Sequence, residues 1–200
     1  MQKIDSFYRD PYTLKMFAEY LRNSLKRDMR NQEKNIFKKE NLKVLGYSFP
    51  EGRELFENLR QNENRRYLLP SKVKLEIHTN YGYLNVETAP GFIFDGRSGP
   101  KIVDWYAPNL GTLEEKVCWF IHDCNGYGLD LNFEDTNVLL FAMLRDLANY
   151  RKAKANVIQL SVSLSKSWYG EPSEGDWCRA NVGKVHTTFE PRDLYDEWTK

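Results

Sequence analysis

The sequence predicts an α+β fold, in which a small antiparallel sheet packs against three helices from the second half of the chain. Between about residues 72 and 95, apolar residues alternate with polar ones, which is the period of a strand with one solvated face. From residue 112 onward, apolar residues instead recur every three or four positions, as they do in amphipathic helices. We expect an N-terminal helical extension to flank this core.

Three short strands are predicted within the sheet region. Val73, Leu75 and Ile77 alternate with polar residues in the first strand. The turn residues Asn80-Tyr81-Gly82 come next, and residues 83–88 return as the second strand. Residues 92–94 form the third strand, bounded by glycine and proline on both sides. Antiparallel pairing is the natural arrangement for strands joined by such short connections.

The three predicted helices follow in order along the second half. Thr112 is the expected N-cap of the first, with Glu115 three residues later as in a capping box, and Gly126 and Gly128 end it. The second spans residues 135–150 and the third residues 152–168. Each has apolar residues at the spacing that buries one helix face.

The rest of the chain is predicted to flank this core. Residues 1–67 form an N-terminal helical extension, residues 68–170 the α+β core domain, and residues 171–200 an irregular C-terminal cover rich in Gly, Pro and aromatic residues. Residues 11–30 read as an amphipathic helix because apolar side chains recur there at helical spacing. They are Leu14, Phe17, Ala18, Leu21 and Leu25.

Composition narrows the possible partners. The formal net charge is +1, so no overall field favours nucleic acid, and we expect no nucleic-acid partner. No apolar run approaches the roughly 20 residues that a membrane-spanning helix needs. The three cysteines fit no zinc or redox spacing, which favours a reducing compartment and a core position for Cys118.

A candidate site centres on His122 and Asp123, which follow an apolar and aromatic run at the end of the first predicted helix. Ionisable groups are costly to bury unless they are paired, hydrogen-bonded or metal-bound. Asp135 opens the next helix about a dozen residues later, so the two helix ends can approach each other. Helix dipoles suit this pairing, and we expect His122 to be the partner of Asp135.

A second group of candidate residues follows the aromatic strand. Asp95 ends the strand and precedes a loop of small residues, which is a common setting for ligand contacts. Arg97 in this loop has the chemistry to clamp a phosphate or carboxylate. An equally weighted interpretation is a tight turn, in which Asp95 accepts hydrogen bonds from loop amides and Ser98 caps locally.

Three motifs in this region occur in a recognisable order. The first is an Asp-Gly-x-Ser-x-Pro turn after an aromatic strand, the second a helix ending in His-Asp followed shortly by Tyr, and the third an Asp that opens the next helix. Their residues here are Asp95, Ser98, Pro100, His122, Asp123, Tyr127 and Asp135.

Over about residues 88 to 170, this pattern resembles a small phage and prophage family, domain of unknown function 1353. The chain departs from the family pattern at Arg97 and Gly99, where members carry a small and a branched apolar residue. The resemblance implies a phage origin and brings no established activity. It also implies a location in the host cytoplasm or the virion.

Three hypotheses about function follow. In a metal-assisted hydrolase, His122, Asp123 and Asp135, with Asp95 as a further candidate, would hold a divalent metal ion that activates water. In metal-free acid–base chemistry, Asp123 or Asp135 would orient His122, and Ser98 would be the nucleophile.

The third hypothesis, which we favour, is a non-enzymatic phage accessory or virion protein. It would bind another phage protein, a host protein or a small molecule. Its His and Asp residues would then form a buried polar cluster. We expect Asp95, Arg97 and Tyr127 to contact any ligand, and the sole cofactor considered is a divalent metal.

Overall fold

The computed structural model describes residues 35–62, 66–94, 112–127, 130–164, 180–181 and 183–192. The predicted helix at residues 11–30 lies outside these ranges, as do most of the C-terminal cover and the loop from residue 95 to residue 111. The described elements, in chain order, are β1 Val44–Glu51, α1 Arg53–Glu57, β2 Tyr67–Leu68, β3 Val73–Thr79, β4 Gly82–Thr88, β5 Ile93–Phe94, α2 Leu113–Tyr127, α3 Phe133–Asp146, α4 Lys152–Leu164 and β6 Val185–Pro191.

The main sheet has four antiparallel strands in the order β1-β3-β4-β6. Strands β3 and β4 form the predicted hairpin, in which Leu75 lies opposite Val86 and Ile77 opposite Leu84. These four side chains are buried, whereas the residues between them on β3 are partly exposed, so the sheet has one core face and one polar face. The three helices of the second half are also present, and the α+β prediction is confirmed.

The sheet extends beyond the predicted core range of residues 68–170 at both ends of the chain. Strand β1 lies in the segment expected to be a helical extension, and β6 lies in the segment expected to be an irregular cover. Strand β1 has register shifts between Val44 and Gly46 and between Ser48 and Glu51, which break the two-residue period that identifies a strand. Pro50 is compatible with β1 because β1 is an edge strand.

The third predicted strand, β5, does not join the β3–β4 hairpin. It pairs instead with β2 in a separate two-stranded sheet, with Tyr67 opposite Phe94. The side chain of Asn181 closes the free side of this strand, because its Oδ1 accepts the backbone N–H of Ile93 at 2.8 Å. A two-residue strand is too short for its periodicity to select a neighbour, so packing decides the pairing.

The helix ends follow the local rules of capping. The Thr112 hydroxyl accepts the backbone N–H of Glu115, and the Glu115 carboxylate accepts the backbone N–H of Thr112, both at 3.2 Å. This is the predicted capping box at the start of α2. Helix α3 begins at Phe133, two residues before the predicted start, because Asn132 is its N-cap.

An aromatic cluster joins α2 to the smaller sheet. Phe120 of α2 lies with its ring centroid 5.0 Å from Phe56, 5.2 Å from Phe94 and 6.0 Å from Phe92, all in edge-to-face arrangements. All four rings are fully buried. Such pairs contribute about 0.5–1.5 kcal/mol each beyond the burial of their area, and they fix which side of α2 faces the strands.

Candidate functional site

Helix α2 carries apolar side chains on one side and polar ones on another. Phe120 and Tyr127 are seven residues apart, so they lie on one side of the helix, where both pack against Phe92. Trp119 and His122 are three residues apart on a different side, with their rings 6.2 Å apart and nearly perpendicular. Every residue from Val117 to Gly126 is buried, so this polar side is also covered.

His122 is only 5% exposed, and its contacts include two polar side chains. Its Nε2 lies 3.2 Å from Oδ1 of Asn137 on α3, and its Nδ1 lies 3.5 Å from Oδ1 of Asp123. The Asn137 oxygen is an acceptor, so Nε2–H donates to it.

Asp135 does not serve as the partner expected for His122. Its two carboxylate oxygens accept the backbone N–H groups of Ile36 and Phe37, each at 2.9 Å. Asn137, two residues further along α3, is the residue that reaches His122. Residues separated by two positions point to nearly opposite sides of a helix, so Asp135 and Asn137 serve different neighbours.

The pKa of Asp135 is raised from its ordinary value, chiefly because burial disfavours the charged carboxylate. The two backbone hydrogen bonds act in the opposite direction. The carboxylate therefore holds the segment before β1 against α3 at some electrostatic cost. The predicted pairing of Asp135 with His122 was wrong because the partners of Asp135 are backbone N–H groups. These groups lie 98 and 99 positions away in the sequence, and no local pattern indicates them.

The described parts of the chain contain no group of three or more His, Cys, Asp or Glu residues placed to hold a metal ion. His122, Asp123 and Asp135 therefore do not come together as a metal-binding group. Asp95, Arg97 and Ser98 lie outside the described residues. The expectations that Ser98 is a nucleophile and that Asp95 and Arg97 contact a ligand remain predictions.

The structure adds polar residues that the sequence interpretation passed over. They carry buried polar atoms on α2 and α3, and together with His122 and Asp123 we call them the polar cluster. Its members are Trp119, His122, Asp123 and Asn125 on α2, and Thr136 and Asn137 on α3. Asparagine and threonine are poor formers of helix interiors, and their presence within buried helical runs was the available signal.

The polar cluster contains more hydrogen-bonding capacity than the structure uses. Several buried side-chain atoms have no hydrogen-bond partner within the part of the chain that the structure describes. Most buried polar atoms in folded proteins are paired with protein or ordered water, so a concentration of unpaired atoms needs a physical cause. Within the polar cluster they are Trp119 Nε1, both amide atoms of Asn125, Thr136 Oγ1 and Asn137 Nδ2.

The two cysteines of α2 lie in an environment that makes their thiols unreactive. Cys118 and Cys124 are free thiols with no exposed surface. Burial raises the pKa of both thiols well above the usual range, and nearby carboxylates add to the effect. A thiol that resists ionisation is a poor nucleophile and a poor metal ligand. The predicted core position of Cys118 is confirmed.

Comparison with known proteins returned no match to a family model, to a curated protein or to a solved structure. Among the described helices, none is long and apolar enough to cross a membrane.

Proposed function

We propose that this chain is a phage-encoded accessory or virion protein that acts by binding a small-molecule partner at the polar cluster. The order of the three motifs between residues 95 and 135 supports the phage origin. The observation that carries the binding role is the side chain of Asn125. The residue is 2% exposed, and neither of its amide atoms has a hydrogen-bond partner among the residues that the structure describes.

Burial favours a small molecule over a protein as the partner at this position. The residues of the polar cluster are at most 5% exposed, so a protein surface docking from outside would not reach them. Small-molecule sites typically enclose most of the ligand surface and use a few convergent polar groups for orientation. His122, Asn125 and Asn137 are such groups, held on two packed helices rather than on loops.

Metal-assisted hydrolysis has less support. One of its three expected ligands, Asp135, already accepts hydrogen bonds from the backbone N–H groups of residues 36 and 37. Asp123 and His122 alone offer two side chains, fewer than the three protein ligands of a typical catalytic zinc site. Metal binding is therefore the alternative outcome of the experiment that follows.

Native mass spectrometry of protein purified without chelator tests the proposal. We expect a bound small molecule that is released on denaturation and is lost in His122→Ala. His186→Ala is the matched control, because His186 is exposed on β6 and should leave binding unchanged. A wild-type protein with no bound molecule, together with a large loss of stability in His122→Ala, would show that the cluster is purely structural. Thermal stabilisation by zinc, manganese or magnesium that is lost in Asp123→Ala would instead favour the hydrolase.

A further inference from the structure

Asn125 contributes two of the unpaired buried atoms of the polar cluster. Neither its Nδ2 nor its Oδ1 has a hydrogen-bond partner among the described residues, although Asn125 is almost fully buried. Leaving a buried polar group unpaired costs roughly 1–3 kcal/mol, so a folded protein seldom retains several without a partner from solution. A carboxamide with both ends unpaired therefore points to an occupant that offers it both a donor and an acceptor.

Two further unpaired groups lie on α2 and α3, on Trp119 and Asn137. Trp119 is three residues before His122 and Asn125 is three residues after it, so each of them neighbours His122 on the surface of α2. Asn137 approaches this side from α3 through its contact with the His122 ring. Trp119 Nε1 and Asn137 Nδ2 are both donors, and neither has a hydrogen-bond partner in the described part of the chain.

This arrangement defines a chemical class of ligand. The complement of a carboxamide is a neighbouring carbonyl oxygen and N–H, as in a primary amide, a lactam or the edge of a nucleobase. The additional donors favour further carbonyl oxygens on the ligand. A charge on a buried ligand is costly unless it is paired, so an uncharged ligand is favoured.

We propose that the polar cluster binds a small uncharged molecule through an amide-like edge that pairs with the side chain of Asn125. This inference rests on the proposed binding function and specifies its ligand. The carbonyl of the ligand accepts from Asn125 Nδ2 and from the indole N–H of Trp119. The ligand N–H donates to Asn125 Oδ1.

The first test compares the free proteins. Asn125→Leu replaces the carboxamide with an apolar group of similar size, which removes two unpaired polar atoms from the interior. We expect the variant to unfold at a higher temperature than the ligand-free wild type. A lower unfolding temperature overturns the proposal, because it would show that the carboxamide is already satisfied in the free protein.

The second test uses defined probes and does not depend on that variant. Uracil and nicotinamide carry the amide edge, whereas 1,3-dimethyluracil and methyl nicotinate are matched controls in which the N–H is blocked or replaced. In ¹⁵N-labelled wild-type protein, we expect uracil or nicotinamide to shift the Trp119 indole and Asn125 side-chain signals saturably. Trp119→Phe and Asn125→Leu assign those signals by their loss. We expect the blocked analogues to bind about tenfold to a hundredfold more weakly, because they leave buried groups unpaired.

Three results overturn the proposal: no shift with either amide probe, equal binding of a probe and its blocked analogue, or unchanged binding in Asn125→Leu. Failure of this inference is distinguishable from failure of the proposed function. A bound molecule of another chemistry in the native mass spectrum overturns the amide assignment alone. The absence of any bound molecule, together with no response to the probes, overturns both.

Discussion

His122 and Asn137 meet across the interface of helices α2 and α3, with His122 Nε2 3.2 Å from Asn137 Oδ1. The two residues are 15 positions apart and both are buried. Because the imidazole N–H has an acceptor there, the contact orients the ring and leaves its other nitrogen toward Asp123. Orientation of one imidazole nitrogen through the hydrogen bond of the other is the usual way in which proteins set the role of a histidine.

Replacing Asn137 with alanine should destabilise the protein by about 1–3 kcal/mol, because His122 Nε2–H loses its acceptor in the interior. Equilibrium urea unfolding measures the change. Asn156→Ala is the control, since Asn156 is partly exposed on α4, and we expect a change within about 0.5 kcal/mol. Equal effects of the two substitutions would show that the His122–Asn137 contact does not contribute to stability.

Asp135 gives the stability a defined dependence on pH. Burial raises the pKa of Asp135 in the folded protein above the ordinary value of 3.8. At pH values between 3.8 and this raised pKa, the folded protein therefore binds more protons than the unfolded chain. The free energy of unfolding contributed by this group therefore falls as pH rises through that window, and it is constant above it. Asp135→Asn removes the titration.

We expect the free energy of unfolding of the wild type, relative to Asp135→Asn, to be greatest at pH 3.5 and to decrease toward pH 6.5. Urea unfolding of both proteins across this range measures the difference. An increase of the wild-type advantage with pH would contradict the assignment, because it would mean that the hydrogen bonds from Ile36 and Phe37 outweigh burial.

The thiols of Cys118 and Cys124 should not react with a disulfide reagent in the folded protein, because burial blocks access and raises their pKa. The measurement is thiol titration in a Cys178→Ser background, so that only the two α2 thiols are counted. We expect no fast reaction in buffer and two equivalents in denaturant. Rapid modification in buffer would show that α2 opens readily.

Phe120→Ala should destabilise the protein by about 3–5 kcal/mol, because Phe120 touches three buried rings and its removal leaves a cavity between α2 and the smaller sheet. Leu160→Ala is the control, since Leu160 is 59% exposed on α4 and should change stability little. Thermal unfolding compares the two variants. A Phe120→Ala effect no larger than that of Leu160→Ala would place Phe120 outside the core.

The residues of the candidate site were only partly predictable. His122 and Asp123 stood out because two ionisable groups follow an apolar run, and the structure places them together in the interior. Asn137 was missed because it is uncharged and carries no motif. Asp135 was assigned the wrong partner, because a carboxylate at a helix N-terminus accepts from any donor that packing brings to it, including main-chain N–H groups.

The sequence by itself determined the α+β class, the β3–β4 hairpin, the three later helices and the capping box at Thr112 and Glu115. These features depend on interactions within a few residues, which periodicity and capping residues record directly. Only the tertiary structure decided that β1 and β6 complete the sheet and that Asp135 holds residues 36 and 37. Those pairings join residues from 23 positions apart, as in Glu51 and Lys74, to 109 positions apart, as in Gly82 and Pro191. They are selected by the packing of the whole core rather than by any local pattern.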